Sequence, residues 1–239
     1  MSKRLKFFSG HLLISVLIAL ISIWLVFFVW YPAPLAEALG VGHLFLMLIF
    51  IDVMLGPLLG LIIYKEGKKS LKFDLTVIIL IQIMAFGYGF NVIAQGRPAW
   101  IIYDSMVFHV LKKSDIDTSR IDQAKLEFQN VSWLKPQFAN LDISSTQFRD
   151  NPPLNGTIAI DHPMYFTDIS NAKRQMQSVS FPISLLEKYN DNEQIRDVIQ
   201  KYPQADAWAG LSAPAKDMVV LINKEKGEVV KIVDLRPWK

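Results

Sequence analysis

Three apolar runs in the first part of the chain limit what the protein can fold into. They cover residues 12–31, 44–64 and 75–94 and contain 20, 21 and 20 residues. A helix rises about 1.5 Å per residue, so each run can cross the ~30 Å hydrocarbon core of a bilayer. We therefore predict a domain of three transmembrane helices over residues 1–96, with the lipid bilayer as their solvent.

The first run could instead be a cleaved signal peptide, because Ala36-Glu37-Ala38 has the small residues of a cleavage site. Its apolar core is longer than the roughly 7–15 residues found in signal peptides, and it contains Trp24 and Trp30. We therefore expect an uncleaved helix.

Positive charges alternate among the short segments that join these runs. The start of the chain carries Lys3, Arg4 and Lys6, residues 32–42 carry no Lys or Arg, and residues 65–72 carry four lysines. Since Lys and Arg concentrate on the cytoplasmic side, the N-terminus is predicted to be cytoplasmic and everything after residue 96 to lie outside. Such a multi-pass protein would leave too little chain in the cytoplasm for a kinase or nucleotide-binding domain.

The chain after residue 96 has a different composition. Residues 97–239 contain 18 basic and 18 acidic side chains, so the net charge of +3 belongs to the first part. Mixed, balanced charges give no basic face for nucleic acid. We predict one extracytoplasmic α+β domain over residues 97–239.

Local patterns predict several elements of this domain. Alternating or clustered β-favouring residues predict strands, and Gly227 marks the tight turn of a hairpin near the end. The predicted strands cover residues 99–103, 106–111, 157–160, 217–223 and 228–235, and the predicted helices cover 119–130 and 185–202, the second interrupted at 189–192.

The most unusual residue of the membrane part is Asp52. It lies inside the second apolar run, where an ionised carboxylate costs at least ~2.5 kcal/mol, and no Lys or Arg occurs in any of the three runs. We therefore expect this carboxyl group to be neutral or shared with another molecule. Gly56 and Gly60 follow at four-residue spacing, with Pro57 between them, a pattern that allows another helix to approach closely.

Two interpretations of the helix face that carries Asp52, Gly56 and Gly60 are open. In the first, Asp52 hydrogen-bonds Ser22, which lies at a similar depth, roughly 15 Å against 18 Å, and the glycines pack against the chain's own first or third helix. In the second, Asp52, Gly56, Pro57 and Gly60 form a groove that binds a foreign helix. A proton pathway is a weaker interpretation, because a single carboxylate makes a poor relay.

Other residues at the membrane are candidates for structural or partner contacts. Gly87 and Gly89 form a small-residue patch in the third run. Trp30, Tyr31 and Trp100 would fall at the outer interface, where amphipathic rings prefer to lie.

The sequence shows little catalytic or metal chemistry. It contains no cysteine, its four histidines are scattered, and neither H-x-x-x-H nor H-E-x-x-H spacing occurs. There is also no G-x-S-x-G or glycine-rich phosphate loop. We expect no cofactor, no metal and no catalytic residues, and so a binding protein rather than an enzyme.

Several stretches of the chain resemble a known family. These are Phe7-Phe8-Ser9-Gly10-His11-Leu12-Leu13-Ile14-Ser15, Val29-Trp30-Tyr31-Pro32-Ala33-Pro34-Leu35, Ile51-Asp52-Val53, Gly56-Pro57-Leu58-Leu59, residues 64–75, Gly96-Arg97-Pro98-Ala99-Trp100, Gly227-Glu228-Val229-Val230 and Asp234-Leu235-Arg236-Pro237-Trp238. The family is that of the TfpX/TfpZ type IV pilin accessory proteins of Gram-negative inner membranes. The resemblance is dense over residues 7–100 and sparse over residues 112–205.

The resemblance implies a chaperone-like helper that modulates type IV pilin assembly and piliation, with the major pilin as its partner and no active site. Type IV pilins wait in the membrane as a long apolar helix with a globular head outside. The groove at Asp52 would hold this stem, and the outer domain would contact the head. A small-molecule sensor or a subunit of a transport complex is the alternative, although three helices without a repeat do not favour a lone transporter. A membrane hydrolase is a further alternative, whose motif is missing.

Overall fold

The computed structural model describes residues 2–153 and 157–239, which fold as two compact units. The helical unit comprises the chain up to Val29 together with Val41–Gln95. The sheet unit comprises Trp30–Gly40 and Gly96–Lys239.

The three predicted transmembrane helices are confirmed, and each is longer than its apolar run. They are α1 (Lys3–Trp24), which continues as a π-helical segment over Leu25–Trp30, α3 (Val41–Ile63) and α4 (Leu71–Gln95). All three are long and apolar enough to cross a membrane. The Ser2 hydroxyl caps α1 by accepting from the Leu5 backbone N–H at 3.3 Å.

Within the helical unit, α3 packs against both α1 and α4. Many large apolar side chains of these helices point away from the unit, among them Leu17 of α1, Phe50 of α3 and Met84 of α4. That distribution suits a unit surrounded by lipid, because apolar faces need no covering by protein there.

The sheet unit is built on one curled, eight-stranded sheet with short helices. Its strands are β1 (Pro98–Asp104), β2 (Val107–Lys112), β3 (Gln137–Leu141), β4 (Phe166–Thr167), β5 (Phe181–Pro182), β6 (Ala207–Ser212), β7 (Met218–Asn223) and β8 (Glu228–Val233). Its helices are α2 (Leu35–Ala38), α5 (Thr146–Asp150), α6 (Lys173–Val179) and α7 (Asn192–Lys201).

The strand order is β4-β3-β1-β2-β6-β7-β8, with β5 paired to β6. β1 pairs antiparallel with β2 and parallel with β3, and β2 pairs parallel with β6. The other neighbours are antiparallel. These bounds confirm the α+β fold, with β1, β2 and the hairpin of β7 and β8 where the sequence predicts strands.

Two predicted elements of the sheet unit are wrong. The expected helix over residues 119–130 is a pair of 3-10 turns at Ile121–Gln123 and Leu126–Phe128, because its apolar residues match helical spacing only loosely. Residues 157–160 form no strand, and they run into a 3-10 turn at Ala159–Asp161. The helix expected over residues 185–202 is interrupted near the predicted residues 189–192: its second half is α7, whereas its first half is a 3-10 segment, Ile183–Lys188.

The core of the sheet unit lies on both faces of the sheet. Alternation along β1 sends Ile101 and Tyr103 to one face, where they pack with Met176 of α6, and Trp100 and Ile102 to the other. Trp100 is only 1% exposed and meets Phe166 edge-on, with ring centroids 5.6 Å apart. The prediction that Trp100 lies at the membrane interface is therefore wrong, because β1 begins directly after α4 and carries this side chain into the core.

Candidate functional site

A polar layer crosses the helical unit at Asp52. The side-chain Nε2 of Gln82 on α4 donates to the Asp52 carbonyl oxygen on α3 at 2.9 Å and to the Ser15 hydroxyl on α1 at 3.3 Å. Asp52, Ser15 and Ser22 are all buried. One amide side chain therefore ties the three helices together.

The depth of this layer explains why Ser15, and not Ser22, takes part in it. Ser15 lies twelve residues after the start of α1 at Lys3, Asp52 lies eleven before the end of α3 at Ile63, and Gln82 lies eleven after the start of α4 at Leu71. The predicted Asp52–Ser22 hydrogen bond was based on depths counted from the ends of the apolar runs. The first and third runs begin after the true starts of α1 at Lys3 and α4 at Leu71. Among the described residues no hydrogen bond joins Asp52 to Ser22, and Ser22 serves as a buried packing residue.

The glycine face of α3, defined by Gly56 and Gly60, is covered by side chains of the helical unit itself. A Cβ at Gly56 would collide with the amide group of Gln82. A Cβ at Gly60 would lie 2.9 Å from the Phe7 ring. Pro57 is buried between them within the unbroken α3. The expected open groove is thus filled from inside, and partner binding at this face stays a prediction that requires these side chains to move.

The opposite face of α4 is open. Gly89 faces α3, since a Cβ there would lie 2.6 Å from a Leu48 methyl group, whereas Gly87 has no neighbouring atom within 4 Å. Gly87 belongs to the open stripe of α4, which we define as exposed residues at helical spacing: Leu80, Met84, Gly87, Tyr88 and Asn91. The stripe combines a small residue with the polar groups of Tyr88 and Asn91.

A second cluster lies in the sheet unit, around Arg97. This side chain is 2% exposed, and its guanidinium carbon lies 5.7 Å from the Trp30 ring centroid and 5.1 Å from that of Trp133. Its Nη2 donates to the Ser132 carbonyl oxygen at 3.2 Å, and Trp30 Nε1 donates to the Trp133 carbonyl oxygen at 3.1 Å. Burial lowers the pKa of Arg97, but an arginine remains a cation at neutral pH.

This cluster also places Trp30 and Tyr31, which the sequence assigned to the membrane interface, in the buried part of the sheet unit. Burial is also the main cause that raises the pKa of Tyr31. The arrangement links the chain after α1 with the chain after α4, through cation–π contacts worth up to about 2 kcal/mol each when desolvated. Its role is structural, and the Gly96-Arg97-Pro98 stretch was its only sequence signal.

The histidines of the sheet unit lie in ordinary structural settings. His162 is buried, its Nε2 lies 2.8 Å from the Thr157 hydroxyl, and its Nδ1 lies 3.8 Å from an Asp117 carboxylate oxygen. Burial lowers the pKa of His109. Over residues 2–153 and 157–239, no group of three or more His, Cys, Asp or Glu side chains could hold a metal ion.

The fold defines a class: a membrane protein with three apolar helices, an internal polar layer and an α+β sheet unit. Comparison with known proteins narrows this class. A family model described as "Fimbrial assembly protein FimB" matches residues 1–40. The fimbrial assembly protein of serogroups C1 and C2 of Dichelobacter nodosus is 37% identical over 116 residues, which cover 48% of this chain and 88% of that protein.

The chain therefore belongs to the fimbrial assembly protein family. The serogroup I protein of the same organism is 38% identical over 125 residues, which cover 52% of this chain and 49% of that protein, and the serogroup E1 protein matches with the same values. The chain thus matches about half the length of these two relatives. No solved structure matches the chain.

Proposed function

We propose that this protein is a non-catalytic, chaperone-like accessory protein of type IV fimbria assembly, which binds the major pilin in the inner membrane. Membership of the fimbrial assembly family supports a role in fimbria assembly. The resemblance to pilin accessory proteins supports pilin as the partner. The observation that supports a binding site is the open stripe of α4, which includes Gly87 and is not covered by the part of the chain that the structure describes.

The stem of a pilin is a long apolar helix, and the open stripe suits such a guest. Helices associate in lipid mainly by close van der Waals packing and interhelical hydrogen bonds, and small residues allow their backbones to approach. Gly87 offers the close approach, and the Tyr88 hydroxyl and the Asn91 amide, one and four residues after it, offer hydrogen bonds. The stem would lie along α4 on the side away from α3.

The polar layer has a supporting role in this proposal. Gln82 and Gly89 face α3, while Gly87 faces away, so the hydrogen bonds of Gln82 to Asp52 and Ser15 fix which side of α4 is presented. Asp52, Gly56, Pro57 and Gly60 then act by positioning α4 and not as the groove itself.

The proposal includes a topology. The distribution of Lys and Arg among the short connections supports a cytoplasmic N-terminus and a periplasmic sheet unit that could contact the pilin head. A reporter that is active only outside the cytoplasm, fused after Lys239, is expected to be active. A stable but silent fusion would overturn this orientation.

Co-purification tests the binding site. The wild-type protein and the Gly87→Leu variant are each purified from detergent, and the amount of co-purified major pilin from the same bacterium is compared. We expect the larger side chain to reduce captured pilin at least about tenfold, which corresponds to about 1.4 kcal/mol. The matched control is Gly10→Leu, because Gly10 of α1 also has no neighbour within 4 Å but lies outside the open stripe.

Two results would count against the proposal. If Gly87→Leu captures as much pilin as the wild type, the stem does not use the open stripe. If the wild type captures no pilin, including after chemical crosslinking in intact membranes, the chaperone-like function itself is wrong.

A further inference from the structure

The curled sheet of the sheet unit has an incomplete edge on each side of one cavity. β8 forms one end of the strand order and, within the described residues, pairs only with β7. Near the other end, the two-residue β4 covers only Asn140 and Leu141 of β3. The outer backbone groups of β8 and of Gln137–Ala139 in β3 therefore have no strand partner in the part of the chain that the structure describes.

These two edges line the same cavity, which we call the seam. Its volume is about 510 Å³, within the roughly 300–1,000 Å³ typical of ligand pockets. Phe138 of β3 and Val229 and Ile232 of β8 contribute apolar walls, and the buried Ile101 and Met176 also line it. The cavity lies wholly within the sheet unit.

The rim of the seam carries an excess of positive charge. Lys135 and Lys231 line the cavity and are exposed, and neither forms an ion pair with another described residue. Glu228 is the acidic residue among the lining side chains. Two lysines against one glutamate favour an acidic group on whatever enters the seam.

A lysine and a β-bulge are also the features by which sheets protect a free edge from unspecific pairing. β8 has both, because its register with β7 shifts between Leu221 and Ile222, opposite Val229 and Lys231. Such an edge resists pairing with any strand, but it can still accept a segment whose side chains match the adjacent cavity and charges. Recognition by strand addition works in this way, with backbone hydrogen bonds for affinity and side-chain pockets for specificity.

We propose that the seam binds an extended segment of the fimbrial subunit's globular part, which adds as a strand to the free edge of β8. One apolar side chain of the segment enters the cavity between Val229 and Phe138, and an acidic side chain two residues along, on the same face of the added strand, meets Lys135 and Lys231. This inference rests on the proposed function, and it assigns the subunit's head to the sheet unit and its stem to α4.

Hydrogen–deuterium exchange on the full chain in detergent, with and without purified pilin, tests the inference. Strand addition protects backbone amides, so exchange at amides of Glu228–Ile232 should slow at least about tenfold when pilin is bound. The double variant Lys135→Glu/Lys231→Glu should lose this protection and bind pilin several-fold more weakly. The matched control is Lys188→Glu/Lys201→Glu, which reverses two exposed lysines that do not line the seam.

The outcomes separate this inference from the proposed function. If pilin is captured but exchange in β8 does not change, the seam assignment is overturned while stem binding stands. If pilin is not captured at all, both fail. If phosphatidylglycerol vesicles alone protect the β8 amides and pilin adds nothing, the seam holds lipid and the inference is wrong. Equal effects of the two double variants would show a general charge effect and would also overturn it.

Discussion

The glycine face of α3 and the open stripe of α4 contain the same kind of residue in the same kind of helix, but they differ in what covers them. Gly56 and Gly60 lie under Gln82 and Phe7, whereas Gly87 has free space around it. The first face packs inside the helical unit, and the second is left uncovered by the described residues. Glycine spacing alone therefore does not tell whether a transmembrane helix packs internally or binds a partner.

The position of the polar side chains distinguishes the two faces. The Gln82 amide, the Ser15 hydroxyl and the Asp52 backbone carbonyl lie at matching depths and join three helices of one chain. Asn91 of the open stripe is exposed. The amide of Gln82 is therefore used inside the helical unit, whereas that of Asn91 lies on its surface.

The largest expected effect is that of Gly56→Leu. The new side chain meets Gln82, and overpacking of this kind costs about 1–3 kcal/mol or more. The midpoint of SDS-induced unfolding, followed by far-UV circular dichroism, should fall clearly below that of the wild type. An unchanged midpoint would show that Gly56 is not covered, and the contrast between the two faces would disappear.

Replacing Gln82 by Leu should have a smaller effect. The variant loses the hydrogen bonds to Asp52 and Ser15, and polar contacts between membrane helices contribute about 0.6 kcal/mol on average and up to ~1.7. The same unfolding assay should show a modest loss, and pilin capture should fall because α4 is less firmly held. Asn91→Leu, which removes an exposed amide, is the matched control for stability and should leave the unfolding midpoint unchanged.

The smallest effect on stability is expected for Gly87→Leu. Its side chain enters free space, and leucine is a better helix former than glycine by up to about 1 kcal/mol, so unfolding should be unchanged or slightly delayed. A loss of stability as large as that of Gly56→Leu would mean that the open stripe also packs internally.

The helices and the last hairpin could be predicted from local sequence patterns. Apolar runs of span length gave α1, α3 and α4, although polar first turns such as Lys3–Lys6 of α1 lay outside the runs. Gly227 has a positive φ of 62°, as a tight turn between β7 and β8 requires. In these elements the local pattern and the final environment agree.

Other features depended on contacts distant in sequence. β3 and β6 were not predicted as strands, and they form because β1 and β2 give them parallel partners. Arg97 lies between Trp30 and Trp133, which no spacing rule brings together. The sequence shows Gln82 as an amide in an apolar run. Its partners Ser15 and Asp52 could be identified only once the ends of the three helices were known. The depth prediction failed for Ser22 for that reason.

Site-specific photo-crosslinking along α4 tests the central claim most directly. A photoreactive side chain is placed singly at Leu80, Met84, Gly87 and Asn91, and at the α3-facing Gln82 and Gly89, in cells that express the major pilin. We expect crosslinks to the pilin stem from the first set and crosslinks within the chain from the second. Pilin crosslinks from the second set, or from neither, would contradict that claim.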